Sequence, residues 1–491
     1  MKSISRMEGN QGSNGAKRPR ITGLTESFVA PRLSIEERIA AGKSLRAKVP
    51  RSTHAELALA DNRDPTGIIL EQAKSRVPEL VPIRHARMLT SPFAFLRGAA
   101  AVMAADLAHI RSTGVRVQAC GDMHVSNFGV FASAERNIVF AINDFDETHP
   151  GPWEWDLKRL ASSAYVAARF IGADRSDRET AARATVKGYQ RWMHQYAWMG
   201  NLAVWYATID MEAVCKVLSS EARAGAKAIV AKAQRRNHLQ VLDKMTDLID
   251  DQRRIIEQRP FVVRATHTWR GRPIQEALGD FLEAYLGSLP HDRRQLLERY
   301  RIIDVAHKIV GVGSVGTRCW LILLCGAAED DPLFLQVKEA QPSVLAAYFP
   351  IKPAYSNDGH RVVVGQRLIQ GSPDIFLGWG DIGGVHFYVR QLRDVKGGLQ
   401  LEPGKNKPSN FIEYCGVCGW ALALAHAKSG DAAMISGYIG KSNVLEDALA
   451  TFAARYSDVT ERDHAAMAKQ ARAGRIKVAT KKGLSRAKVY E

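Results

Sequence analysis

A chain of 491 residues with 46% apolar and 24% charged side chains is long enough for two or three lobes, each with its own core. No apolar run approaches the ~18 residues of a membrane span, and the polar first twenty residues lack a secretory h-region, so the sequence predicts a cytoplasmic protein. The net charge of +17 is concentrated at the ends: residues 1–50 carry ten Lys/Arg against four acids and residues 461–491 nine against three, +6 each, leaving +5 between. Such ends bind nucleic acid or an anionic surface weakly and without sequence preference, or simply stay solvated.

Residues 1–30 read as a disordered basic tail, rich in Gly, Ser, Asn and Lys. Residues 31–112 read as helices with short breaks; PFAFLRGAAAVMAADLAHI, with a proline near its start, is the clearest. In 113–260, VRVQAC (115–120) reads as a strand, and FGVFA (128–132) and IVFAI (138–142) as a hairpin across ASAERN. A long helical stretch is predicted from 153 to about 258, broken near Gly172 and Gly200. A second β-rich region, 300–395, contains VGVGSVGTRCWLILLCG, PLFLQVKEA and HFYVRQLRD, with a helix expected over 359–370. VKGGLQLEPGKNKPSN is a loop by composition, 411–460 is helical with a stop at Gly430, and 461–491 reads as a basic C-terminal tail.

Six cysteines do not form a disulfide framework. The lone CxxC of Cys415 and Cys418 runs into an apolar helix with no second ligand pair for zinc, so both read as small core-facing residues.

The chemistry concentrates in GDMHVSNFGVFASAERNIVFAINDFDETHPGPWEWDLKRLA, residues 121–161. Asp122 and Asn127 stand five residues apart in a loop after an apolar strand, and Asp144 ends the next strand but one. Phosphoryl transfer needs such a set: one carboxylate at the attacking hydroxyl, and a carboxylate with a carboxamide oxygen on Mg²⁺. Any one of these residues can equally be a backbone cap at a strand end; the ordered set carries the functional reading. His124 lacks the further His/Asp clusters of a metal hydrolase and reads as a loop-ordering residue, while Asp146 and Glu147 read as solvated carboxylates.

GDMHVSN resembles the H-G-D-x-H-x-x-N catalytic loop of aminoglycoside phosphotransferases and choline kinases, and NDFDETHPGPWEWDLKRLA resembles their metal-binding segment and following helix. The longer string also resembles a bacterial family catalogued as domain of unknown function 2252, over about residues 60–480. The resemblance implies an α+β, protein-kinase-like, two-lobed fold with extra helices, using ATP and Mg²⁺. It makes Asp122 the catalytic base, Asn127 and Asp144 the magnesium ligands, His124 a loop support, and Asp156 the structural aspartate that accepts backbone N–H groups of the loop. Cys120 departs from the pattern, which has His before Gly-Asp.

GVGSVG (311–316) is flanked by strands on both sides, the kinase arrangement and not the dinucleotide one. Gly311, Gly313, Ser314 and Gly316 are therefore expected at the phosphates. Lys338, in an apolar strand, is expected on the same phosphates, because a buried lysine needs an anion; the alternative is an edge lysine reaching water. Backbone groups near 388–392 are expected at the adenine. These parts follow the catalytic loop instead of preceding it, which points to circular permutation: reading 302–430 and then 90–258 restores the usual order. The helix over 359–370 holds no acid to pair with Lys338, and Gln366 is a weak substitute.

The expected function is γ-phosphoryl transfer from ATP to a hydroxyl of a small molecule or protein. Nucleotidyl transfer, a nucleotide-binding module without activity, and a nucleic-acid binder acting through its tails are the alternatives. Arg84, Arg87 and Arg97 can reach an anionic substrate or serve as structural arginines.

Overall fold

In the computed structural model, residues 28–479 are described apart from 236–237, 250–251, 260, 265–267, 270–271, 309–314, 329–330, 351–354, 356 and 393–394. The predicted N-terminal tail thus lies almost wholly outside the described residues, as do Gly311, Gly313 and Ser314.

The N-terminal helices are α1 (Ile35–Ser44), α2 (Pro65–Ala73), α3 (Val81–Met88), α4 (Pro92–Gly98) and α5 (Ala100–Leu107). PFAFLRGAAAVMAADLAHI is therefore two helices, because Ala99 leaves the helical region at φ −115°, ψ 36°. Ser91 caps α4 through the amide of Ala94, with Pro92 in its first turn.

Strand β1 (Arg116–Ala119) precedes the hairpin β2 (Phe128–Ala132) and β3 (Ile138–Ile142), whose register pairs Phe128 with Ile142 and Ala132 with Ile138. β4 (His149–Pro152) pairs antiparallel with β1. Its sequence, HPGP, carries no strand signal, and an edge position is where a sheet tolerates proline.

Helices α6 (Trp153–Phe170), α7 (Arg175–Tyr196), α8 (Asn201–Tyr206), α9 (Met211–Val217), α10 (Ser220–Gln234) and α11 (His238–Met245) follow. The helical run predicted to about 258 ends at Met245. From there β5 (Thr246–Ile249) and β6 (Gln252–Ile255) form a hairpin, short alternating segments that the helical reading absorbed.

A six-stranded antiparallel sheet forms the second lobe. Its strands are β7 (Val262–Arg264), β8 (Arg301–Lys308), β9 (Cys319–Cys325), β10 (Pro332–Glu339), β11 (Gly378–Ile382) and β12 (Val385–Gln391), in the order β11-β12-β10-β9-β8-β7. α12 (Ile274–Ser288) packs Phe281 and Tyr285 on one face, the short α13 (His291–Leu297) follows, and α14 (Asp358–Gln370) lies between the sheet and the helical lobe.

The chain then returns to the helical lobe through α15 (Pro408–Ser429), α16 (Ala432–Ile439) and α17 (Val444–Arg472). α17 corrects the expected tail boundary: Thr460, Asp463 and Met467 are buried on one face, while Arg462, Lys469 and Arg472 lie off it. Of the predicted tail, 480–491 lies outside the described residues. The architecture is α+β. No described helix is long and apolar enough to cross a membrane.

Candidate active site

The loop after β1 turns at Gly121, where φ is +76° and a Cβ would stand 2.5 Å from the carbonyl oxygen of Glu147. Only glycine fits such a position. Helix α6 then braces the loop with two side chains three residues apart, hence on one face. Asp156 accepts the amides of Cys120 at 2.6 Å and Gly121 at 3.0 Å, and its Oδ2 lies 3.3 Å from Nε2 of His426. Arg159 donates from Nε at 3.0 Å, and from Nη2, to Oδ1 of Asp122.

Burial raises the Asp122 carboxyl above its ordinary range, against the pull of Arg159. The side chain is 22% exposed, is turned toward Arg159, and is not among the residues of the cleft wall. His124 is 3% exposed and its Nε2 is 3.9 Å from Asp122, beyond a hydrogen bond. Burial, reinforced by Arg97 and Arg159, pushes its pKa far down, so the imidazole is neutral.

Asn127 donates from Nδ2 to the carbonyl of Asp122 at 2.7 Å, which orients its amide and leaves Oδ1 as an acceptor. The amide of Asn143 donates to the carbonyl of Asn127 at 2.8 Å, tying the end of the β2–β3 hairpin to the loop. Asn127 and Asp144 both line a cleft of about 1500 Å³. Among the described residues no group of three His, Cys, Asp or Glu side chains is placed to hold a metal. One carboxylate and one carboxamide oxygen beside an open cleft still fit Mg²⁺, which keeps waters and takes phosphate oxygens, and do not fit zinc.

Lys338 reaches the same place from the sheet. Its Nζ lies 3.0 and 2.8 Å from the two oxygens of Asp146, and the Tyr388 hydroxyl donates to Asp146 at 2.5 Å. Burial opposes the charge on each partner but loses: Lys338 holds Asp146 well below the carboxylate range, and Asp146 holds Lys338 above the usual lysine value. Asp146 is thus the lysine's partner, not a solvated carboxylate. Gln366 instead donates to Gln370.

Arg361, on α14, donates to the carbonyls of Asp146 at 3.0 Å and of Thr148 at 2.5 Å. Glu147 accepts the amide of Val344 at 2.8 Å, and burial raises it to about 7.

Lys338, Gln336 and Arg390 line the sheet side of the cleft, with Gln391 and Leu392 at its end. Of the glycine turn, Gly316 has φ +92° and is not among the cleft-lining residues. Its carbonyl accepts the amide of Val77 at 2.8 Å, and Arg76 donates to the Val315 carbonyl at 2.6 Å. Cys415 and Cys418 are buried free thiols in the helical core.

Sequence reasoning missed Arg159, Asp146 and Arg361. Arg159 was readable from its spacing to Asp156, and Asp146 from the need of a strand lysine for an anion.

Fold and site together define an α+β protein with a cleft where a strand lysine meets an Asn/Asp loop. The chain belongs to the family described as uncharacterized proteins conserved in bacteria (DUF2252), whose model matches residues 76–470. No curated protein and no solved structure matches it.

Proposed function

We propose that the chain is an ATP- and Mg²⁺-dependent phosphotransferase with a circularly permuted, protein-kinase-like fold. One observation carries the reading: Lys338 lies 2.8 Å from Asp146, 192 residues earlier in the chain, while Asn127, Asp144 and Lys338 line one cleft. The permutation draws support from the end of α15 lying beside the strand that leads into the Asp122 loop. Ser429, the last residue of α15, accepts the amide of Gln118 in β1 at 3.1 Å.

In this reading Asp122 takes the proton of the acceptor hydroxyl through Oδ2, the oxygen that Arg159 leaves open. The acceptor oxygen bonds to the γ-phosphorus, the bond to the β,γ-bridging oxygen breaks, and ADP leaves. Lys338 and Arg390 offset charge on the phosphates, with Asp146 keeping Lys338 protonated and in place. Asn127 and Asp144 would hold Mg²⁺, which neutralises charge on the phosphates when bound.

A nucleotide-binding module without transfer is the second reading, favoured by the engagement of Asp122 with Arg159. Calorimetric titration of Mg-ATP into the wild type and Asp144→Ala tests the shared site. Magnesium-dependent binding weakened at least tenfold by the substitution is expected; no binding to the wild type overturns both readings. Transfer of a γ-label and not an α-label then separates phosphoryl from nucleotidyl chemistry, and no transfer leaves the binding module.

A further inference from the structure

Part of the cleft wall comes from α3, α4 and the turn between them, which place Arg87, Thr90, Phe93 and Arg97 on it. Arg84 is not one of them. It is 1% exposed and donates to the Gly98 carbonyl at 2.8 Å and to Gln72 at 3.3 Å, so it braces one N-terminal helix against the next.

Arg87 lines the cleft and is 7% exposed. Arg97 lies with its guanidinium carbon 5.9 Å from the centroid of Phe93, and near enough to Asp122 for its charge to act on that carboxylate. The cleft as a whole is cationic: seven of its lining residues are Lys or Arg and four are Asp or Glu. Lys338 and Arg390 belong to the sheet, on the nucleotide side. Arg87 and Arg97 come from the N-terminal helices, and Arg97 is the one whose charge acts on Asp122, the base that must meet the acceptor. Guanidinium groups match carboxylate and phosphate oxygens in paired, planar hydrogen bonds.

We propose that Arg87 and Arg97 form the acceptor subsite, and that the acceptor is a small hydroxyl compound carrying a phosphate or carboxylate group. This deepens the phosphotransferase reading and rests on it. The anion docks on the two arginines, which places a hydroxyl of the same molecule toward Asp122 and keeps neutral polyols, and water itself, poorly held there.

The test is calorimetric titration of glycerol 1-phosphate, glycerate and glycerol into the full chain, with and without saturating Mg-ADP. At least one of the two anions should bind and glycerol should not; which anion binds tells phosphate from carboxylate. Arg87→Gln and Arg97→Gln should each weaken that anion at least tenfold while the affinity for Mg-ADP stays within about twofold. Arg97→Lys, which keeps the charge without the planar fork, should fall between wild type and Arg97→Gln. An unchanged melting curve and retained Mg-ADP binding show that the variants are folded. Binding of glycerol as tight as that of the anions, no binding of any of the three, or anion binding untouched by both substitutions overturns the proposal. Loss of the phosphotransferase reading is seen separately, as a wild type that does not bind Mg-ADP.

Discussion

Neighbouring carboxylates in the DFDE segment respond to pH with opposite signs. Asp146, held down by Lys338, contributes stability that is full above the usual aspartate pKa and is lost only in acid. Glu147, raised from 4.5 to about 7, does the reverse. Between these two values the unfolded chain has released the proton that the folded chain still holds, so the folded state loses stability as pH rises. Glu147→Gln keeps an acceptor for the Val344 amide and removes this dependence. Urea midpoints at pH 5 and 7.5 should differ less in the variant than in the wild type; equal pH dependence in both would refute the assignment. The pairing of Lys338 was half legible. The sequence showed a buried lysine and a helix without an acid, but not which face the DFDE loop turns to a strand nearly two hundred residues away.

At the next scale, α7 and α15 approach backbone to backbone. A Cβ on Gly188 would stand 2.2 Å from the Gly416 carbonyl, and one on Gly419 2.1 Å from the Thr185 carbonyl. Backbone cannot yield as a side chain tip can, so Gly419→Ala should cost on the order of 3 kcal/mol by overpacking, read as a lowered denaturant midpoint with unchanged slope. An unaltered midpoint would mean that the helices separate freely. This contact also explains the CxxC, whose thiols fill space beside the glycines of GVCGW.

Elements with strong local signals were readable: the β2–β3 hairpin ends where the alternation ends, and α15 stops before Gly430. The others depend on distant partners. HPGP becomes a strand only because β1 runs beside it, and 461–472 continues a helix because Asp463 and Met467 find a buried face.

Across the whole molecule, Arg63, in the loop before α2, ties α5 to α17. Arg63 donates to Asp106 at 2.5 and 2.8 Å and to Asp463 at 2.7 and 2.6 Å, with all three side chains largely buried. Arg63→Ala leaves two buried carboxylates facing each other, and the expected loss is about 3–5 kcal/mol, measured by thermal or urea unfolding. Asp463→Asn, which keeps the shape and one acceptor, should cost less; a neutral Arg63→Ala would show that the ends do not depend on each other.

That clasp sets a timetable for synthesis. Arg63 and Asp463 are 400 residues apart, and at ~5–20 residues per second a ribosome takes roughly 20–80 s to pass from one to the other. Throughout that interval Arg63 and Asp106 lack their third partner, and the apolar faces of α2 and α4 wait for α17 to emerge. The helical lobe can therefore lock only once α17 has been synthesised, and the nascent chain must be kept from aggregating until then.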